Sequence, residues 1–326
     1  MKIQRLTLGN KAFSTNIIQG PLAGVSCAPF RKLIWKYSQP AFACTEMLSC
    51  KTLLYQSQGS YERYIQKDSA EGPVCFQLSS SDANELGTAV KKVTDLGADL
   101  IDLNCGCPVN KIRKRGAGSS LLMTPTKLFN LITAMKQNTH VPVSIKIRID
   151  GKSNDAFNSE IVKVVEESGV DFLIVHGRHW TEHYETPCNY DQIQYFVDNL
   201  TIPVIGNGDI ACVSSLKNML ATGCAGVMIG RAGVGQPWLI AKLIAEFQGQ
   251  EFTPPSNQEV GNLFLEHVVD LIELLGNEKF AVLQARKLAK YYARSLTTKN
   301  EFCVQVNNCV SLMDLQTCVR NYFGFL

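Results

Sequence analysis

The sequence predicts an α/β fold, a (β/α)8 TIM barrel followed by a small C-terminal helical bundle. Three observations support it. Eight short apolar, β-rich segments recur over the first three quarters of the 326 residues, helical patterns separate most of them, and the last quarter has helical periodicity without a clear strand. Eight β-then-α units within about 245 residues match a TIM barrel in number and length. An open doubly wound sheet has the same alternation, but here the polar residues collect where the strand ends of a barrel converge.

The eight predicted strands are apolar along most of their length. They cover residues 16–22, 41–47, 73–78, 99–104, 142–148, 171–176, 202–206 and 225–230. The run Phe172-Leu173-Ile174-Val175 has no polar face at all. Such continuous apolar runs are typical of parallel strands that are buried on both faces.

Helical patterns long enough for crossovers lie between the predicted strands. Examples cover residues 82–96, 126–137, 157–168 and 214–221. Three of these patterns are followed by a glycine, namely Gly97, Gly169 and Gly223. A glycine after a helix supplies the left-handed conformation that turns the chain back toward the next strand.

The pattern changes after residue 247. We expect a barrel domain over residues 1–247, a linker over 248–257 and a helical domain over 258–326. The linker contains Thr253-Pro254-Pro255-Ser256, which is typical of a connecting segment. The last segment is long enough for three or four packed helices.

Composition narrows the class of protein. A formal net charge of +3 neither requires nor excludes a nucleic-acid partner. No segment approaches the ~18 uninterrupted apolar residues of a membrane span, and the N-terminus does not resemble a signal peptide. The 12 cysteines are dispersed, and several interrupt apolar strands, which favours buried reduced thiols. We therefore expect a cytoplasmic protein that does not associate with membranes and is monomeric.

Two predicted strand ends carry glycine-rich segments suited to an anion. TIM-barrel enzymes place their chemistry at the carboxyl ends of the strands, and many bind a phosphate after strands seven and eight. The seventh strand ends in Gly206-Asn207-Gly208-Asp209 and the eighth in Gly230-Arg231-Ala232-Gly233. Their glycines allow backbone N–H groups to approach a phosphate, and Arg231 complements its charge. Lys146 and Gln77 then reach the head of a phosphorylated cofactor, where a cation stabilises the anionic reduced form of a flavin.

A cysteine follows the fourth predicted strand, in Asn104-Cys105-Gly106-Cys107-Pro108. A thiol on a glycine-containing loop at the barrel mouth can act as a proton donor or a nucleophile. The alternative is that Cys107 is one more apolar cysteine. A zinc site at Cys105 and Cys107 would need a second cysteine pair at ligand spacing, and the sequence has none. His176, His179 and His183 run from a strand end into a loop, so their side chains need not converge on one point. We therefore expect no metal.

At these positions the chain resembles the tRNA-dihydrouridine synthases, a family of flavin-dependent reductases. The shared motifs occur in family order along the whole barrel, and Ala285-Arg286-Lys287 followed by Tyr291-Tyr292 is most similar to the B branch. The barrel motifs are Gly20-Pro21-Leu22-Ala23-Gly24-Val25-Ser26-Cys27-Ala28-Pro29-Phe30-Arg31, Asp102-Leu103-Asn104-Cys105-Gly106-Cys107-Pro108, Lys146-Ile147-Arg148, His176-Gly177-Arg178, Ile205-Gly206-Asn207-Gly208-Asp209-Ile210 and Val227-Met228-Ile229-Gly230-Arg231.

The resemblance implies a bound FMN, NADPH as its transient reductant, and tRNA as the substrate. It implies reduction of the C5–C6 double bond of a uridine, with hydride passing from FMN to C6 and a proton from Cys107 to C5. Asn104 would orient the uracil, and Arg178 would contact the substrate. The residues implied to hold FMN are Pro21, Leu22, Gln77, Lys146, His176, Asn207, Gly208, Asp209, Gly230 and Arg231.

A base within folded tRNA must flip out to reach a barrel mouth, which requires a surface that grips RNA. Two basic runs are candidates. The first run includes Lys111 and Arg113. The second run covers residues 279–300 and lacks acidic residues. It places Arg286, Lys290 and Arg294 at four-residue spacing on one predicted helix face, beside Lys287. Either run alone is compatible with a solvated surface, but two runs flanking one mouth favour contact with RNA phosphates.

The sequence departs from the family pattern in three places. Leu22 replaces the usual Met, Ser26-Cys27 the usual Thr-Asp, and His179-Trp180 a Thr followed by a basic residue. The last departure lies where substrate enters. Two other functions remain open at this stage: an FMN-dependent enzyme of a free pyrimidine, similar to dihydroorotate dehydrogenases, and a catalytically silent tRNA-binding protein. The basic C-terminal segment argues against the first, because an enzyme of a small molecule does not need it.

Overall fold

A computed structural model describes residues 2–150 and 155–324 of the chain. Its strands are β1 (Leu6–Leu8), β2 (Lys11–Phe13), β3 (Ile17–Gln19), β4 (Ala43–Cys44), β5 (Leu48–Ser49), β6 (Val74–Ser79), β7 (Leu100–Cys105), β8 (Val143–Arg148), β9 (Phe172–His176), β10 (Val204–Asn207) and β11 (Gly226–Ile229). Its helices are α1 (Ala28–Tyr37), α2 (Cys50–Tyr55), α3 (Gln58–Ile65), α4 (Ala83–Asp95), α5 (Asn110–Arg113), α6 (Pro125–Gln137), α7 (Asp155–Ser168), α8 (Tyr190–Asn199), α9 (Val213–Ala221), α10 (Leu239–Phe247), α11 (Asn257–Leu275), α12 (Glu278–Tyr292), α13 (Lys299–Asn308) and α14 (Leu312–Phe323). Short 3-10 turns cover Gly118–Met123, Arg231–Gly233 and Ala293–Ser295.

Eight parallel strands close into a barrel, which confirms the predicted fold class. Around the ring the order is β3, β4, β6, β7, β8, β9, β10 and β11, and β11 pairs again with β3. The short strand β5 pairs with the end of β6. All eight predicted strands are present, and Gly97, Gly169 and Gly223 have the positive φ expected of the residue that follows a helix.

The amino end of the barrel is closed by a hairpin that the sequence patterns did not reveal. Strands β1 and β2 pair antiparallel, and their apolar side chains join the buried cluster inside the barrel. The Phe13 ring lies 5.6 Å from that of Phe42, which in turn lies 6.3 Å from that of Phe172. With this end plugged by side chains, the opposite, carboxyl end is where a ligand can enter.

The predicted C-terminal helical bundle is present as α11–α14. Helix α11 starts with a capping box between Ser256 and Glu259, and residues 248–256 connect it to α10. The bundle packs around aromatic rings: Phe264 stacks on Tyr292 with centroids 4.8 Å apart, and Phe302 meets Phe323 edge to face at 5.2 Å.

The bundle is joined to the barrel by close backbone packing and by charged contacts. A Cβ on Gly235, in the loop after β11, would lie 2.6 Å from the backbone of Tyr291, so only glycine permits this approach. Lys36 on α1 lies 2.7 Å from Glu266 on α11. The guanidinium of Arg294 donates to the carbonyls of Ala232 and Val234. These contacts fix the bundle beside the last strand ends.

No helix in the described ranges is long and apolar enough to cross a membrane.

Candidate active site

A cavity of about 350 Å³ opens at the carboxyl ends of the barrel strands. All ten residues expected to hold the phosphorylated cofactor line it, together with Asn104, Cys107 and Arg178. They come from the ends of seven different strands and from the loops that follow. The closed barrel therefore brings together residues up to about two hundred positions apart in sequence, because parallel strands all end on one face.

The backbone of Cys107 is held at this cavity by a hydrogen-bond network that begins in the barrel core. Asn104 accepts the N–H of Cys107 at 2.9 Å and donates to Gln77 Oε1 at 2.9 Å. Gln77 Nε2 donates to the buried carboxyl of Asp102 at 2.8 Å, and Ser144 donates to the same carboxyl at 2.7 Å. Each amide thus has a fixed orientation, and Cys107, which is only partly buried, is positioned against rigid strands.

Asp102 was part of a recognised motif but was not expected to be a site residue. Burial raises the pKa of its carboxyl to about 7, against the opposing effect of the hydrogen bonds from Gln77 and Ser144. It does not line the cavity; it acts on it through its hydrogen bond from Gln77 and through its electrostatic interaction with Lys146. Its role follows from a contact between neighbouring strands, which composition and motif spacing do not show.

Lys146 and His176 supply an ammonium group and a neutral ring to the same cavity. Lys146 donates to Asn207 Oδ1 at 2.8 Å, and Asn207 Nδ2 donates to the carbonyl of Met228 at 2.7 Å. Burial, and then the neighbouring Arg148 cation, lower the pKa of Lys146 to about 8. Burial, with the Lys146 cation second, lowers the pKa of His176 far below its usual range, so this imidazole is neutral at physiological pH.

The predicted contact between Arg178 and the substrate stays a prediction: the side chain lines the cavity but is buried, and its guanidinium is bound by protein groups. Its guanidinium lies 2.5 Å from both carboxylate oxygens of Asp209 and donates to the carbonyls of Tyr184 and Thr186. Asp209 also accepts the N–H of Cys188 at 2.9 Å. Arg178 therefore holds the loop of residues 179–187 against the barrel. A guanidinium can only donate, so its contact with His176 Nε2 at 3.2 Å places the ring proton on Nδ1.

That loop carries two aromatic side chains near the mouth: Trp180, which the sequence indicates only as a departure from the family pattern, and Tyr184, which it does not indicate at all. Tyr184 lines the cavity with half its side chain exposed, and Arg231 lies 3.4 Å from its ring centroid. Trp180 stacks on Arg113, whose guanidinium carbon lies 3.2 Å from the ring centroid. The second contact joins the loop after β9 to the loop that carries Cys107. Loop residues have no periodicity that could have predicted these contacts.

The strand end after β11 has the open backbone that an anion requires, whereas the glycine after β10 is closely packed. A Cβ on Gly230 would meet nothing within 4 Å, so this backbone faces free space. Gly208 has a φ of 134°, and a Cβ there would lie 2.6 Å from Cys188 Sγ, so this position requires glycine. Arg231 follows directly and begins a 3-10 turn. The segment after β11 combines accessible backbone with a cation, which is what phosphate binding needs.

The basic residues of the bundle do not share one helix face, which corrects the predicted arrangement. Helix α12 ends at Tyr292, so Arg294 lies in the following 3-10 turn and its side chain contacts the barrel. Arg286 donates to the carbonyl of Cys309 at 2.9 Å, inside the bundle. Lys287 and Lys290 are exposed. Of the four cations that the sequence predicts for RNA contact in the C-terminal segment, these two have exposed side chains and, within the described part of the chain, no hydrogen bond inside the bundle or to the barrel.

Comparison with known proteins agrees with this geometry. Residues 18–322 match the family described as dihydrouridine synthase (Dus). The chain is 32% identical over 299 residues to a tRNA-dihydrouridine synthase B of Vibrio parahaemolyticus, covering 91% of this chain and 92% of that protein. It is 31% identical over 305 residues to a probable tRNA-dihydrouridine synthase of Rickettsia conorii, covering 93% and 91%.

Among solved structures, an old yellow enzyme homologue from Zymomonas mobilis has the same fold, with a TM-score of 0.56 at 12% identity, covering 77% of this chain and 94% of that one. No group of three or more potential metal ligands lies together in the part of the chain that the structure describes. The family match spans the whole barrel and nearly all of the bundle, so this chain belongs to the dihydrouridine synthase family.

Proposed function

We propose that this protein is a flavin-dependent tRNA-dihydrouridine synthase, which reduces the C5–C6 double bond of a uridine in tRNA. The observation that carries the proposal is the position of Cys107. Its partly buried thiol lines a cavity together with an ammonium group, a neutral imidazole and open glycine backbone, in a chain of this family. An apolar structural cysteine would not need the amide network that fixes its loop.

The residues present fit FMN as the cofactor. The backbone beside Gly208 and Gly230, with Arg231, would bind its phosphate, and Lys146, Gln77 and His176 would lie against its ring system. Pro21 and Leu22 line the same wall, and the Leu22 N–H is already occupied by Ser26 Oγ at 2.9 Å. A lysine whose pKa is close to 8 is well suited to stabilise an anionic reduced flavin, because anion binding favours its charged form.

When bound, FMN would supply hydride chemistry for C6 of the uracil. Cys107 then donates its proton to C5, and the Arg148 cation close to it stabilises the resulting thiolate. Asn104 fixes the Cys107 loop and presents its amide to the uracil edge. Hydride addition builds negative charge on the O4 side of the base, so amide and cationic groups there lower the barrier. We propose NADPH as the reductant that regenerates the flavin.

The proposed tRNA surface lies on both sides of the mouth. Lys111 is exposed on one side, and Lys287 and Lys290 are exposed on the bundle. We propose that residues 258–326 form the tRNA-binding domain and that the protein acts as a monomer. Because phosphate contacts release counterions, tRNA binding should weaken steeply with added salt. A flat salt response would argue against this surface.

The direct test uses purified protein, NADPH and an unmodified tRNA transcript. We expect a yellow protein whose colour is bleached by NADPH, and a gain of two daltons in one nucleoside of the tRNA by mass spectrometry. A protein that bleaches but never changes tRNA would point to a free pyrimidine as substrate. A colourless protein that binds tRNA would be the silent binder. Nucleoside mapping of tRNA from a deletion strain complemented with this chain would then identify the uridine.

A further inference from the structure

A second cavity, of about 400 Å³, lies beside the first on the same face of the barrel. Met47 lines both cavities and forms the wall between them. The second cavity is built from residues after β5 and β6, from α3, and from the loop after β7. None of its other lining residues takes part in holding FMN or in the proposed chemistry.

The lining of this second cavity is polar, with cations at its rim. Ser79 and Ser80 are buried in its floor, and Lys51, Lys111 and Arg115 are exposed. The one acidic side chain that lines it, Glu85, lies 3.8 Å from Lys51. Within the described residues neither Lys111 nor Arg115 forms an ion pair, so the cavity has an excess of positive charge. Its ligand should therefore be anionic and rich in hydrogen-bonding groups.

One loop supplies both a wall of this cavity and the proposed general acid. Lys111, Ile112 and Arg115 line the cavity, and Cys107 stands at the start of the same loop. The loop folds back on itself, because the N–H of Ser119 donates to the Cys107 carbonyl at 3.1 Å. A Cβ on Gly118 would lie only 2.8 Å from that carbonyl oxygen. A ligand in the second cavity must therefore act on the segment that positions Cys107.

We propose that the second cavity binds the nucleotide next to the target uridine in the tRNA strand. The proposal rests on the proposed function, since it needs a uridine in the first cavity. The two cavities have similar volumes and share one wall, so consecutive nucleotides can occupy them. In this arrangement Lys111 and Arg115 bind the phosphate between the two nucleotides or the one that follows the second nucleotide. The serine hydroxyls bind the ribose and the base edges, and the ring of Tyr64 is a surface on which the base stacks.

The loop geometry favours RNA over the other anionic candidate, a nicotinamide dinucleotide. Cys107 acts on the uracil and not on the reductant, so a site coupled to its loop is useful only when RNA is bound. Occupation by the neighbouring nucleotide would order the Cys107 loop when a correct strand is present. A free uridine would lack this effect, which would give the enzyme a preference for uridine within a polynucleotide.

The test compares cavity variants with matched controls in the flavin-loaded full-length protein. Ser81→Trp fills the cavity, and Lys111→Ala/Arg115→Ala removes its charge. Ser69→Trp and Lys91→Ala/Lys163→Ala make the same changes at exposed positions that do not line it. The probes are an unmodified tRNA transcript that the wild type reduces, and copies of it with an abasic residue on the 5′ or the 3′ side of the target.

We expect each cavity variant to raise the Kd for the intact transcript about 10-fold, the effect of losing one nucleotide's contacts, with the controls unchanged. One of the two abasic transcripts should bind the wild type about 10-fold more weakly, and Ser81→Trp should weaken its binding no further. Additive losses, or an unchanged Kd in both cavity variants, would overturn the proposal.

Slower bleaching of the flavin by NADPH, with normal tRNA binding, would assign the cavity to the dinucleotide instead. A wild type that forms no dihydrouridine in any tRNA would refute the proposed function itself, and this outcome needs no variant to be recognised.

Discussion

Replacing Arg178 by methionine should release the loop of residues 179–187 from the barrel. The Arg178 side chain is 2% exposed, and that of its partner Asp209 is 36% exposed. Removing one member of a buried ion pair costs about 3–5 kcal/mol. Water can reach the remaining carboxylate, which also keeps the N–H of Cys188, so we expect a smaller loss of about 2–3 kcal/mol.

A loss of this size corresponds to an increase of about 30- to 150-fold in the population of the opened loop. Limited proteolysis of the 179–187 segment would measure it, and urea unfolding would report the change in the free energy of unfolding. Arg320→Met, at an exposed position on α14, is the matched control. Asp209→Asn should be at least as damaging, because it leaves the buried guanidinium without a counter-charge.

Arg178→Met with unchanged unfolding, unchanged proteolysis and reduced affinity for tRNA would refute this reasoning. It would instead support the direct contact with substrate that the sequence predicted.

Three further predictions follow from the contacts around the mouth and the bundle. Folding lowers the pKa of Lys146 from 10.5 to about 8, so the unfolded chain binds more protons between these two values. The free energy of unfolding of the cofactor-free wild type should therefore rise by about 2 kcal/mol relative to Lys146→Met between pH 7 and pH 9.5, as measured by denaturant unfolding. Parallel pH profiles of the two proteins would contradict this. Trp180→Ala and Arg113→Ala should each destabilise the Cys107 loop by about 0.5–1 kcal/mol, as judged by hydrogen exchange of residues 109–117. Trp180→Phe should keep most of the wild-type stability of this loop. The double variant should be no less stable than either single variant, because both remove the same contact. Arg294→Ala should weaken the packing of the bundle against the barrel and so lower the melting temperature. It should not change the salt dependence of tRNA binding, as the loss of a phosphate contact would. A shallower salt dependence in this variant would show that Arg294 contacts RNA phosphates.

The sequence was sufficient to predict the barrel and the residues around its mouth. Parallel strands buried on both faces leave long apolar runs, and a closed barrel must bring all their carboxyl ends together. The hairpin β1–β2 was missed because each strand has three residues, too few for a period to be recognised. The second barrel strand is interrupted between Cys44 and Leu48, since β4 and β5 both pair with β6. In this interruption the buried carboxylate of Glu46 pairs with Arg63 and accepts the N–H of Gly24.

The contacts between side chains could not be predicted in the same way. The sequence places a cation at Arg178 in a familiar motif, but its burial depends on Asp209, which is 31 positions away. The contacts of Arg294 also depend on residues distant in sequence, since its guanidinium donates to backbone carbonyls in the segment after β11. Motif spacing shows which residues reach one face of the fold; which of them pair with each other depends on distances that only the structure contains.

The turnover of Cys107→Ala tests the central proposal most directly. We expect the variant to bind FMN with wild-type stoichiometry and to be bleached by NADPH at the wild-type rate, because its side chain is not among those proposed to hold the cofactor. Formation of dihydrouridine in tRNA should fall by about 10²–10⁴-fold, the usual contribution of a positioned proton donor. If Cys107→Ala reduced tRNA at the wild-type rate, the thiol would not be the proton donor and the mechanism proposed for this site would be wrong.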